Sequence, residues 1–133
     1  MKTFTTAILS LVAISSALPT SSMEARAEGA VDVQVCTGEN YTGECTTISA
    51  AFNECQVLPG PYLNNVGSLK PAAGAFCRIT YTAATCTLHG DAFIDPTPGA
   101  PDLHHFDDPA TGANIDAGSS LSSFLCQECT GCS

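Results

Sequence analysis

Apolar and polar residues alternate strictly over Val31-Asp-Val-Gln-Val35, which places the three valines on one face of a β-strand. Ala75 to Thr82 is a second strand candidate, rich in β-branched and aromatic residues. Shorter candidates follow the same logic: Thr46-Thr-Ile48, Gln56-Val-Leu58, the run ending at Leu69 and Ser120 to Cys126. Pro59-Gly-Pro61 and Asn64-Asn-Val-Gly67 supply turns between them, and Gly38 and Gly43 bracket a hairpin whose backbone must reach positive φ. No 3.6-residue period persists after residue 17, so the pattern predicts an all-β domain, an antiparallel β-sandwich. Residues 89–118, punctuated by Asp95-Pro-Thr-Pro-Gly-Ala-Pro-Asp102 and Asp107-Asp-Pro109, read as a long irregular insertion.

The beginning of the chain obeys different rules. Lys2 precedes an apolar run from Phe4 to Ile14, and Ser15-Ser-Ala17 puts small residues at a cleavage position, the pattern of a secretory signal peptide over residues 1–17. The run falls short of the roughly 20 residues that a membrane helix needs. Residues 18–26 lead to Arg26 and read either as a pro-segment cut there or as an unprocessed arm. Residues 27–133 are left as one domain.

Charge narrows the partners. The chain holds 13 acidic and 4 basic residues, a formal net charge of -9. Removal of residues 1–26 would leave Lys70 and Arg78 as its Lys and Arg. Such a surface repels phosphate backbones and anionic membranes, so the expectation is no nucleic acid and no membrane insertion.

Eight cysteines, Cys36, Cys45, Cys55, Cys77, Cys86, Cys126, Cys129 and Cys132, all follow the leader. An even count in a short exported chain predicts four disulfides, with a pairing that spacing leaves open. Cys36 to Cys45 and Cys77 to Cys86 each enclose eight residues, which implies two related units, about 31–70 and 75–126. The tail 126–133 carries Cys126-Gln-Glu-Cys129-Thr-Gly-Cys132. A zinc or iron–sulfur reading of the tail lacks a further ligand, so disulfides are expected there too, bonding the last cysteines to each other or tethering the tail.

Taken in order, Cys36, Tyr41-Thr-Gly43, Cys45, Cys55, Leu63-Asn-Asn-Val-Gly-Ser68, Cys77, Cys86 and Ser122-Ser-Phe124 before Cys126 resemble the small secreted βγ-crystallin-like proteins of fungi. The resemblance covers roughly Val31 to Cys126. It implies two Greek-key motifs packed as one β-sandwich, with Tyr41 and Gly43 in a folded hairpin and Asn64 and Ser68 in a late polar turn. It also implies an effector-like role at a host or competitor interface. Calcium-binding members use paired Asn/Asp turns ending in hydroxyl residues, whereas here Gly67 stands at the hydroxyl position. In the second unit Ala83 or Ala84 replaces the hairpin glycine.

The remaining chemistry is sparse. His104 and His105, with Asp102, Asp107 and Asp108, form the densest set of metal-ligating or acid–base side chains. Asn64 and Ser68 are the other candidate cation ligands. Gly118-Ser-Ser-Leu-Ser122 lacks the second glycine of a nucleophile elbow, and a ribonuclease would want more cationic groups than Lys70 and Arg78. Asn40-Tyr-Thr42 is an N-glycosylation sequon on the hairpin. The sequence therefore predicts a secreted, non-enzymatic binding protein, with an extracellular protein or glycan as partner and no required cofactor. Two alternatives stand beside it: a module binding Ca2+ or another cation, and an inhibitor of an extracellular protease built on loops such as Pro59-Gly-Pro61.

Overall fold

The valines of the first strand do what their alternation requires. In the computed structural model, which describes residues 29–132, Val31, Val33 and Val35 are buried in the core. The proposed signal peptide and pro-segment lie outside the described residues. β1 (Ala30–Cys36) pairs antiparallel with β2 (Cys45–Ala51) on one side and β4 (Ser68–Pro71) on the other. β5 (Ala75–Thr80) lies between β6 (Ala92–Ile94) and β9 (Ser123–Glu128). β3 (Cys55–Val57) joins that second sheet at its far edge, giving the order β3-β9-β5-β6. A two-stranded ribbon, β7 (Phe106–Asp107) with β8 (Asn114–Ile115), completes the set.

The halves trade segments. β3 belongs by sequence to the first half but pairs with β9 of the second. In return Leu69 of β4 bridges Ala100, each N–H donating to the other's carbonyl at 3.0 and 2.8 Å. Leu69, Leu103, Leu121 and Phe124 are fully buried in the core beside Val33 and Ile79.

All eight cysteines are bonded, as Cys36–Cys45, Cys55–Cys86, Cys77–Cys126 and Cys129–Cys132. The first and third staple residues directly opposite each other in register, one pair in each sheet. The equal spacing of Cys36 to Cys45 and Cys77 to Cys86 therefore does not carry equal bonding. Strand register gives a different equivalence: Cys36 faces Ser68 as Thr80 faces Ser123, and Gly67 N–H donates to Cys36 O as Ser122 N–H donates to Thr80 O. The two sheets share this local pattern of pairing and hydrogen bonding, offset from the cysteine spacing.

Two sequence expectations change in detail. The insertion 89–118 contains β6, β7 and β8, strands of three and two residues whose brevity hides any alternation. The last strand begins at Ser123, because Leu121 leaves the strand line to plug the core and Ser122 turns its hydroxyl to the carbonyl oxygens of Thr80 and Ala83.

Gly67 shows why a hydroxyl residue does not occupy its position. A Cβ there would strike the backbone of Thr37 and Gly38, which the late turn of unit one overlies directly. Only a residue without a side chain permits that approach.

Candidate binding site

The connection from β6 to β9 runs across both halves, and the larger of two grooves forms beside it. A groove of about 540 Å³ is lined by Phe93, Phe106 and Pro109, with His89, Asp91 and Asp107 among its polar residues. Phe93 sits opposite Arg78 in the β5–β6 register, on the outer face of the sheet, and is 62% exposed. Its ring is held in place by Phe76, edge to face at 5.6 Å, and by the Arg78 guanidinium 5.5 Å from its centroid. Arg78 is fixed in turn by donating to Leu88 O at 3.0 Å.

Phe106 forms the opposite wall. It packs edge-on to Tyr81 at 6.2 Å, and the Tyr81 hydroxyl donates to Asp108 Oδ1 at 2.7 Å. Burial, joined by that hydrogen bond and by the negative charge of Asp108, pushes the Tyr81 phenol far above its ordinary value. The same hydrogen bond holds the Asp108 carboxyl below the usual carboxylate range, assisted by Thr111. Asp91 caps the loop after β5: one carboxylate oxygen accepts the N–H groups of Tyr81 and Thr82 at 2.7 and 3.0 Å, and both oxygens accept the Thr82 hydroxyl. The groove walls are thus anchored by Arg78 and by the Tyr81–Asp108 hydrogen bond, while Phe93 stays largely exposed and Phe106 partly so.

The sequence-selected ligands are distributed rather than gathered. His104 Nδ1 lies 2.7 Å from Asp116 Oδ1; that contact, with hydrogen bonds from Ser119, lowers the Asp116 pKa. His105 Nδ1 lies 3.1 Å from Asp102 Oδ2 instead. Asp107 accepts from Asn114 Nδ2 at 3.0 Å, while Asp108 serves Tyr81 and Thr111. Ser68 is fully buried, its hydroxyl donating to Gly38 O at 2.7 Å and accepting from Tyr41 N at 2.9 Å. Asn64 is exposed at a left-handed turn position (φ 57) with its N–H on Leu121 O. Asn64 and Ser68 thus act in the turn that docks the hairpin. Asn40 is exposed on a single 3-10 turn, Glu39–Tyr41, where an attached glycan would face solvent.

Sequence reading missed the aromatic walls, because Phe93 and Phe106 are separated by 12 intervening residues of irregular chain. It missed Glu39 as well. That carboxylate lies with Asp102 and His105 in a trio whose ligand atoms are all within 4.8 Å of one another. The turn Pro59-Gly-Pro61 is curled, with Tyr62 and Leu63 N–H both donating to Pro59 O, and so presents no extended strand to a protease cleft. Among the described residues no helix is long and apolar enough to cross a membrane. Comparison with protein-family models, with curated proteins and with solved structures finds no match to this chain.

Proposed function

We propose that the protein is a secreted binding module, built as two βγ-crystallin-like Greek-key units, that takes up a basic, apolar segment of an extracellular partner protein in the groove between Phe93 and Phe106. The reciprocal exchange of β3 and the Leu69–Ala100 bridge supports the two-unit reading. Four disulfides suit an oxidising compartment, and the N-terminal pattern supplies the export signal. The acidic balance of the chain selects the partner's charge. A role at a host or competitor interface follows from the fungal resemblance.

The observation that carries the reading is the groove itself: an exposed aromatic held rigidly by neighbours loses little side-chain freedom on binding. The test is calorimetry with short peptides carrying Lys or Arg beside Trp, Phe or Leu, run against a glycan panel. Peptides should bind the wild type, lose affinity at least about tenfold in Phe93→Ser, and weaken as salt screens the attraction. Glycan binding without peptide binding, or peptide binding indifferent to Phe93→Ser, overturns the proposal.

A further inference from the structure

Glu39 lies on the β1–β2 hairpin and Asp102 and His105 on the connection from β6 to β9, and two hydrogen bonds hold these segments together. Asn40 N–H donates to Pro101 O at 2.7 Å, and the Tyr41 hydroxyl donates to Pro98 O at 2.6 Å. The turn bearing Glu39 is thereby pinned against the segment bearing Asp102 and His105. Asp102 is itself oriented: its Oδ1 accepts the N–H groups of His104 and His105, both at 3.1 Å, while Oδ2 faces His105 Nδ1 at 3.1 Å.

We propose that these three side chains form a site for a divalent transition-metal ion of the zinc class, joining the β1–β2 hairpin to the long connection between β6 and β9. The donor set decides the ion. One imidazole nitrogen and two carboxylate oxygens suit zinc, cobalt or nickel, whereas calcium prefers six to eight oxygens. Tetrahedral bonds of about 2.0–2.2 Å put ligand atoms roughly 3.3–3.6 Å apart. The Asp102–His105 pair is already close to that separation, and the outer limit of 4.8 Å across the trio is closed by rotation of the exposed Glu39 side chain. The paired backbone N–H groups on the second Asp102 oxygen supply the outer hydrogen bonds that steady a metal-binding carboxylate. Three protein ligands leave a fourth position to water or to a donor from a partner.

The site is independent of the aromatic groove, so each proposal can fail alone. The experiment is thermal unfolding and calorimetry of the secreted chain with Zn2+, Co2+ and Ca2+, beside Glu39→Gln, His105→Ala and the control His104→Ala. Glu39 and His105 are exposed, so both substitutions leave the fold intact. Zinc should bind one to one, raise the melting temperature, and at tenfold excess over Kd favour the folded state by about 11-fold. Glu39→Gln and His105→Ala should each abolish the shift, while His104→Ala keeps it. Co2+ should add the visible absorption of a low-symmetry site. No response to zinc at 1 mM, an equal response to calcium, or a zinc shift that survives in both variants overturns the site.

Discussion

The two halves close the same strand frame in different ways. After β1 the chain makes a tight hairpin stapled by Cys36–Cys45, and Gly67 lets the late turn lie on its backbone while the Ser68 hydroxyl bridges Gly38 and Tyr41. After β5 the equivalent loop is longer, gathered by the Asp91 carboxylate and by Ser122, and moored to β3 through Cys55–Cys86. Close packing of backbone on backbone closes unit one, which carries a smaller groove of about 310 Å³ lined mostly by polar residues, among them Asp32, Gln34 and Lys70. Closure by side chains in unit two leaves space, and the Phe93–Phe106 groove lies there. The lesson is that similar strand pairing can be closed by backbone or by side chains, and the larger, aromatic groove accompanies closure by side chains.

The largest expected effect breaks unit one. Gly67→Ala forces a methyl group into the Thr37–Gly38 backbone and should cost about 3 kcal/mol or more, since neither side can yield as a flexible side chain would. Denaturant unfolding followed by circular dichroism measures it; a loss under about 1 kcal/mol would refute the backbone-contact account.

Disulfide removal compares the halves directly. In the loop-entropy picture, closing 31 residues in Cys55–Cys86 contributes about 3–4 kcal/mol and closing 9 in Cys36–Cys45 about 2–3 kcal/mol. Serine pairs at each bridge should follow that order in unfolding midpoints. The Cys55→Ser, Cys86→Ser protein should also loosen the β5–β6 loop, seen as faster hydrogen exchange at Tyr81 and Thr82. Asp91→Asn, which weakens acceptance from the same two N–H groups, should cost about 1–2 kcal/mol. Equal exchange rates in all three proteins would show that the loop is held by something else.

How much of this was legible depends on range. Val31, Val33 and Val35 could be placed because alternation is a local signal and their strand is buried on one face. The even cysteine count announced four bridges, yet their pairing is set by which strands lie opposite, a property of topology that spacing does not encode. The cysteine repeat even suggested an equivalence, Cys36 with Cys77, that the register replaces with Cys36 and Thr80. His104 and His105 stood out by composition, but neighbours in an irregular segment face different partners, Asp116 and Asp102. Glu39 joins His105 only through the contact of Asn40 with Pro101, a long-range contact that no short motif records.

The smallest effects read the two halves through their tyrosines. Each half sends one phenol to the long connection, Tyr41 to Pro98 O and Tyr81 to Asp108. Burial raises both pKa values, so both favour folding fully below the ordinary tyrosine value of about 10 and lose that contribution as pH rises through the raised value. Only Tyr81 is bonded to a carboxylate. The lowered pKa of Asp108 stabilises the fold above the ordinary value of about 4, and that contribution disappears as pH falls through the lowered value. Tyr41→Phe should therefore flatten the alkaline limb of melting temperature against pH and leave the acid limb unchanged. Tyr81→Phe should flatten both. The acid difference will be small, since Asp108 is solvent-accessible and screened, but its sign is fixed: as pH falls below the ordinary carboxylate value of about 4 the wild type must lose stability faster than Tyr81→Phe. Parallel acid limbs would mean that the Tyr81–Asp108 bond does not order the Phe106 wall of the groove, and that the looser closure of unit two is set by Asp91 and Cys55–Cys86 alone.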